Sequence, residues 1–285
     1  MKVLILGGGG TLGAFSAGAL RAVAKYGFVP DVLIGSSAGG INLLRYTVNG
    51  AEEAVAFWDS IARLGTVLRG LLGGRNFSEG LLDAAWLRAR VEAGVDFDAL
   101  MRDPRILAFL VVDLKTGRVR VRGNRTERDA ASLRAVSRGA YALPPLLPPV
   151  QLDGEILADG GLLHNAPLNA AVKLGATEIV YLCNVRAIPK DGFGHTSTLH
   201  AALRYAEIFF RRASNVGFVD EEIVDESFRG VPFLAIAPPP TIGFGRLVRT
   251  MVPVVSAETY LVATGYKCAK KALAQWRRGQ AHRAP

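Results

Sequence analysis

The chain has 285 residues, 50% of them apolar and 21% charged, with a formal net charge of +9. That length and apolar content suit one large α/β domain or two small ones, and they exclude both intrinsic disorder and a disulfide-held miniprotein. Cys183 and Cys268 lie 85 positions apart without the paired spacing of a zinc site or a redox motif, so no metal cage and no disulfide framework are expected.

Val3 to Leu6 is a continuous apolar run ending in glycines, the pattern of a strand buried on both faces. Ala14 to Tyr26 carries Phe15, Ala19, Leu20 and Val23 at helical spacing, with Gly27 and Pro30 as its stop. Val32 to Ile34 predicts a second strand, and Gly39 to Val48 a second helix. Strand, helix, strand, helix within about 50 residues predicts a parallel α/β sheet. Residues 52–72 and 79–93 repeat apolar side chains every three to four positions and read as amphipathic, core-facing helices. Arg105 to Leu114 and Gly117 to Arg122 predict two strands joined at Lys115-Thr116-Gly117, and Ala130 to Gly139 a helix. A Pro-rich loop, Leu143 to Val150, leads into Leu152-Asp153-Gly154-Glu155-Ile156, whose Asp-Gly pair signals a type I′ hairpin. Pro167 to Leu174 predicts a helix and Glu178 to Asn184 a strand. Residues 199–226 read as helical with a break near Gly217, Phe233 to Ala237 as a last strand and Ala257 to Arg277 as a last helix. No internal repeat or long linker intervenes, so a single domain over residues 1–285 is expected.

Two stretches account for more than all of the net charge. From Lys115 to Arg138 eight cations meet only Glu127 and Asp129, and from Lys267 onward six cations meet no acid. Such stretches are usually solvated faces; the sharper reading is peripheral contact with an anionic membrane surface. No zinc-finger, KH or RNP pattern is present, so no nucleic-acid partner is expected. The first residues are too few and too weakly apolar for a signal peptide, and no run of about 18 apolar residues suggests a spanning helix. A soluble protein of the reducing cytoplasm is the resulting expectation.

Three motifs carry chemistry. Gly7-Gly8-Gly9-Gly10-Thr11-Leu12-Gly13, between a strand and a helix, can expose backbone N–H groups to an anion, and the helix N-terminus adds about half a positive charge. Read as Gly8-x-Gly10-x-x-Gly13, it also fits a dinucleotide fingerprint, whose partner acid would be Asp31 although that residue precedes its strand. Gly35-Ser36-Ser37-Ala38-Gly39, at a strand end and opening a helix, has the form of a nucleophile elbow, with Gly35 and Gly39 giving Ser37 room. A serine nucleophile needs a base. The four histidines, His164, His195, His200 and His282, lack clear acid-base context, whereas Asp159-Gly160-Gly161 offers a carboxylate leaving a short apolar strand. Asp153, the nearest decoy, is explained by its hairpin.

These motifs, in this order and roughly this spacing, resemble the patatin-like phospholipases. The run from Ala135 through Pro144-Pro145 and Pro148-Pro149 to Asp159-Gly160-Gly161-Leu162-Leu163-His164-Asn165-Ala166-Pro167 is similar to the stretch around that family's catalytic aspartate. The resemblance covers residues 2–184 closely, and the rest loosely through Gly265-Tyr266; Leu12 stands where many members carry Arg or Lys. It implies a three-layer α/β/α sandwich on a mainly parallel sheet, with a helical part at about 199–277 completing it. It also implies lipid acyl hydrolysis on a lipid or ester substrate. Ser37 would be the nucleophile, Asp159 the base, and Gly8, Gly9 and Gly10 the oxyanion-hole donors, with Gly13, Gly35, Gly39, Gly160 and Gly161 supporting the turns and no metal or cofactor needed. His164 would then sit beside the site rather than act as the base, and some of the amphipathic helices would cap an acyl-chain pocket. A Rossmann-type oxidoreductase and a non-catalytic membrane-surface module are the alternatives.

Overall fold

The computed structural model describes residues 1–64, 80, 82–163, 166–184, 223–224, 227–239 and 255–281. In chain order the elements are β1 (Lys2–Leu6), α1 (Gly13–Lys25), β2 (Val32–Gly35), α2 (Ala38–Leu64), α3 (Ala84–Val91), α4 (Phe97–Arg102), β3 (Ile106–Asp113) and β4 (Val119–Gly123). There follow α5 (Ala130–Gly139), β5 (Val150–Leu152), β6 (Glu155–Asp159), α6 (Leu168–Lys173), β7 (Glu178–Leu182), β8 (Ile223–Val224), β9 (Ser227–Phe228), β10 (Val231–Ile236) and α7 (Val255–Ala281).

One sheet, in the order β5-β6-β3-β2-β1-β7-β10-β9-β8, forms the centre, with β4 also on β3. The pairs from β3 through β10 are parallel, and β4, β5, β6, β8 and β9 join antiparallel. Alternate residues of β1 enter different cores: Leu4 and Leu6 pack with α1, α2 and α7, while Val3 and Ile5 pack with Leu168 and Ala171 of α6. Burial on both faces is why these strands read as unbroken apolar runs, and it makes the architecture three layers, helix on sheet on helix. α7 lies on α1 at very close range. A Cβ on Gly18 would sit 1.9 Å from the Val262 carbonyl oxygen, and one on Gly265 would sit 2.0 Å from that of Phe15.

The register explains how two distant segments meet. Ala108 and Phe109 pair with β2 on one side of β3 and with β4 on the other, whereas Val111 and Val112 pair with β4 and with β6. Because a strand residue has one partner per side, β6 occupies the side of β3 that β2 occupies, directly past its end. Gly35 pairs with Phe109 and Asp159 with Val111, two residues further along.

Most predicted elements are present near their expected bounds. The expected helices at Gly39 to Val48 and 52–72 join end to end as α2 across non-helical backbone at Asn49 and Gly50; residues 65–72 lie outside the described residues. α3 is shorter than 79–93 because the Asp83 side chain accepts the Trp86 N–H at 2.9 Å and caps it there. α4 was not anticipated, although Asp96 carries the same signal, accepting from the Ala99 N–H at 2.9 Å. The helical reading of 199–226 fails at Ile223–Val224, a strand paired with β9, and the rest of it lies outside the described residues. Asp153-Gly154 forms the hairpin turn with φ of 49° and 81°, as type I′ requires.

Five of the eight cations in the first basic stretch are ion-paired among the described residues. Arg120 and Arg122 bind Glu155, Arg122 also binds Glu127, Arg128 bridges Asp129 and Asp153, and Arg134 and Arg138 bind Glu92. Glu92, Asp153 and Glu155 lie outside the stretch, so its own count of acids understated the pairing. No helix among the described residues is long and apolar enough to cross a membrane.

Candidate active site

The first loop leaves β1 with the Gly7 N–H on the Leu182 carbonyl at 3.0 Å and passes through buried Gly8 and Gly9 to exposed Gly10. Gly10 has φ of 58°, which only glycine adopts freely. Gly13 serves packing: a Cβ there would lie 2.2 Å from the Trp58 ring. Trp58 in turn donates from Nε1 to Asn42 Oδ1 at 2.7 Å, and Asn42 Nδ2 donates to the Gly13 carbonyl at 2.9 Å. The acid that a dinucleotide site would need is otherwise engaged, since Asp31 accepts the Lys2 N–H at 2.7 Å at the start of the sheet. Leu12 is buried in the core.

The second loop is a strained turn. Ser37 has φ of 52°, a left-handed backbone that costs a non-glycine residue about 1–2 kcal/mol, and it stands between β2 and the first turn of α2. Gly39 makes the turn possible, because a Cβ there would lie 1.9 Å from the Leu6 carbonyl oxygen. A Cβ on Gly35 would lie 2.7 Å from the Gly40 Cα, a contact less severe than at Gly39 but still too close. The α2 N-terminus behind Ser37 favours negative charge in front of it.

Asp159 ends β6, with its carboxyl close enough to the Ser37 hydroxyl for that hydroxyl to favour its charged form. Oδ1 also accepts the Gly161 N–H at 2.9 Å. Gly160 lets the chain pass over β3, where a Cβ would lie 2.9 Å from the Val111 carbonyl carbon. Burial pushes the Asp159 pKa up to about 7, against the lowering effect of the nearby Ser37 hydroxyl and the Gly161 N–H. The neighbouring Ser36 hydroxyl is buried without a full hydrogen bond to any described residue and helps the carboxylate least. A carboxylate held near neutrality beside a strained serine can take that serine's proton at physiological pH.

Ser37, Gly10 and Thr11 form the polar mouth of an apolar cavity of about 180 Å³. Its walls include Phe57, Trp58 and Ile61 from α2, Leu82 and Trp86 at α3, and Leu147 from the Pro-rich loop. Both amphipathic stretches therefore face the site as well as the core. Among the described residues, no group of three or more His, Cys, Asp or Glu is placed to hold a metal ion.

The family described as Patatin-like phospholipase matches residues 4–172, a span that contains the glycine loop, Ser37 and Asp159. The chain belongs to the patatin-like phospholipase family. A patatin-like phospholipase domain-containing protein of Caenorhabditis elegans is 30% identical over 199 residues, 65% of this chain and 14% of its own length. Lysophospholipase NTE1 of Meyerozyma guilliermondii is 26% identical, covering 62% of this chain and 12% of its own, and an uncharacterized NTE family protein of Mycobacterium bovis is 30% identical, covering 61% and 49%. The chain thus spans less than half the length of each of these relatives. Among solved structures, VipD from Legionella pneumophila superposes on 96% of this chain and 67% of its own, with 13% identity and a TM-score of 0.48.

Within this patatin-like site the sequence reading missed the segment after α5. The Ala140 carbonyl accepts the Ser37 N–H at 2.7 Å, and the Ala142 carbonyl accepts the Asp159 N–H at 2.8 Å, so one short segment clamps both candidate groups. Backbone carbonyls leave no trace in residue identity. Tyr141 between them lines the cavity; burial pushes its phenol pKa up, and its hydroxyl has no hydrogen-bond partner among the described residues. The four histidines fall outside the described residues.

Proposed function

We propose that this patatin-like chain hydrolyses fatty-acyl ester bonds of lipids through a Ser37 acyl-enzyme, with Asp159 as general base. One observation carries the reading: the strained Ser37 lines an apolar cavity and its hydroxyl lies close enough to the buried Asp159 carboxyl to lower that group's pKa. An engineered apolar cavity of about 150 Å³ takes up benzene, so the cavity here suits the ester-proximal part of an acyl chain. The similarity to a protein named lysophospholipase supports a glycerophospholipid or its lyso form as substrate.

The steps follow from the placement. Ser37 Oγ attacks the ester carbonyl carbon as its proton passes to Asp159. The carbonyl oxygen becomes an oxyanion held by N–H groups of Gly8, Gly9 and Gly10 and by the α2 N-terminus, where one donor is worth about 3 kcal/mol. Collapse breaks the C–O bond, and the leaving alcohol takes the proton from Asp159. Water then attacks the acyl-enzyme, gives its proton to Asp159, and releases the fatty acid as Ser37 recovers a proton.

The packing of α7 on α1 supports one domain over residues 1–285. With five cations of the first basic stretch ion-paired, contact with anionic lipid falls chiefly to the exposed Lys267, Lys270, Lys271 and Arg278 of α7. Vesicle binding should weaken as salt rises; salt-independent binding would remove that part of the reading.

Intact-mass detection of a single adduct from a lipid-like fluorophosphonate, lost in Ser37→Ala, tests the nucleophile. No adduct on folded wild type would sink the proposal. Asp159→Asn should abolish turnover while His164→Ala keeps it, and the reverse result would transfer the base role to His164.

A further inference from the structure

The end of β7 supplies a side chain that the mechanism has not used. Asn184 follows β7 by two residues and is fully buried. Its Nδ2 donates to the Gly7 carbonyl at 2.7 Å, and its Oδ1 accepts the hydroxyl of Ser16, also fully buried, on α1 at 2.5 Å. The amide orientation is dictated by its partners, because a carbonyl can only accept and the Ser16 hydroxyl is free to donate. Gly9 rests on the same side chain: a Cβ on Gly9 would lie 2.6 Å from Asn184 Cβ.

We infer that Asn184, oriented by Ser16, is a positioning residue for the oxyanion loop. A trans peptide is planar, with its C=O and N–H pointing in opposite directions. Holding the Gly7 carbonyl toward Asn184 therefore turns the Gly8 N–H away from it, and the contact with Gly9 fixes the height of the next peptide. The loop is glycine-rich, so nothing local prevents its peptides from flipping; the constraint comes from β7 and α1. Pre-alignment of this kind strengthens the transition state more than the bound substrate, because the charge it meets develops only during attack.

The inference rests on the acyl-hydrolase reading, and the test separates the two. Asn184→Asp keeps size and still accepts from Ser16, but once ionised it has no donor for the Gly7 carbonyl and repels it. Because burial favours the protonated acid, which could still donate, the comparison is made as a pH series extended to high pH, where the loss should be greatest. Ser16→Ala leaves Asn184 in place and removes what orients it. Each is compared with wild type for kcat and KM on a p-nitrophenyl fatty ester. Affinities are measured for an alkyl trifluoromethyl ketone, whose carbonyl adds Ser37 Oγ to give an oxyanion with the proton on Asp159, and for the fatty alcohol of the same chain length, which only fills the cavity. Loss of a whole oxyanion donor costs about 10²–10³-fold in kcat. For misaligned donors, Asn184→Asp should lower kcat by about 10-fold or more, weaken the ketone by the same factor, and leave KM and alcohol affinity within about twofold. Ser16→Ala should move the same quantities in the same direction by less.

Wild-type kcat and ketone affinity in folded Asn184→Asp would overturn the inference while leaving hydrolysis at Ser37 intact. So would equal losses of ketone and alcohol affinity, which mark general loosening of the site. If Asn184→Asp does not fold, an unchanged ketone affinity in Ser16→Ala overturns the inference instead. A folded wild type that neither turns over ester nor binds ketone overturns the hydrolase reading and this inference together.

Discussion

The turn after β2 and the end of β6 meet on one side of β3, and each holds its reactive group at a cost to stability, but the costs differ in kind. At the turn the cost is geometric: Ser37 sits at φ of 52°, and Gly39 is pressed against the Leu6 carbonyl. At the end of β6 the backbone is ordinary, and the cost is electrostatic, since burial outweighs the neighbouring donors and leaves the Asp159 pKa at about 7. Strain is released by changing what the backbone tolerates. Desolvation is released only by removing the charge. Two neighbouring groups in one site should therefore answer different perturbations, and the pH axis should belong to Asp159 alone.

The largest expected effect is on turnover. Asp159→Asn should lower kcat by about 10²–10⁴-fold, the range for loss of a general base. Wild-type kcat/KM should rise with pH through about 7 as the carboxyl loses its proton. A rate profile flat from pH 5 to 9 would mean that Asp159 is not the group titrating in turnover.

The same substitution should raise stability, with a sign that depends on pH. Below about pH 4 the carboxyl is protonated in both the folded and unfolded chains and contributes nothing. Between the ordinary value of 3.8 and about 7 the folded chain keeps a proton that the unfolded chain releases, so stability falls as pH rises. Above about 7 the full cost is present, about 4 kcal/mol at this displacement. Urea denaturation should thus find Asp159→Asn more stable than wild type by up to about 4 kcal/mol at pH 8 and by much less at pH 4. Equal gains at both values would show that packing, not charge burial, sets the difference.

At the turn the corresponding probe is steric. Gly39→Ala puts a methyl group 1.9 Å from the Leu6 carbonyl oxygen, and only movement of β1 or α2 can relieve it. A loss of about 3 kcal/mol is expected, independent of pH, together with loss of fluorophosphonate labelling at Ser37. A folded Gly39→Ala with wild-type labelling would mean that the turn tolerates a shift the contact does not suggest.

How much of this was legible in the sequence follows the same division. The turn is written in local residue types: an apolar strand, Gly35, Ser37 and Gly39, and a following helix define it without tertiary information. Asp159 was legible as a candidate from its glycines, but its pKa was not, because burial depends on β3, on the Ser37 hydroxyl and on the Ala142 carbonyl. The registry that brings β6 up against the end of β2 also has no local signature, since it depends on which residues of β3 pair on which side. Ion pairing of Arg122 with Glu155, 33 positions away, was hidden for the same reason. α4 was the opposite case: the Asp96 cap was available to read, and the six-residue length hid it.

The smallest expected effect separates backbone strain from side-chain chemistry at the turn itself. Ser37→Ala and Ser37→Gly both delete the hydroxyl, so both should abolish labelling. Alanine retains the left-handed strain at φ of 52°, worth about 1–2 kcal/mol, whereas glycine relieves it and gives back about 0.5–1 kcal/mol in unfolded-chain entropy. Ser37→Gly should therefore be more stable than Ser37→Ala by about 0.5–1 kcal/mol at every pH. In an ordinary first turn of a helix the order is reversed, because glycine loses to alanine there. The sign of this difference, read from two denaturation curves, carries more information than its size: alanine as the more stable variant would mean that Ser37 is not strained and that Gly39 alone accounts for the turn.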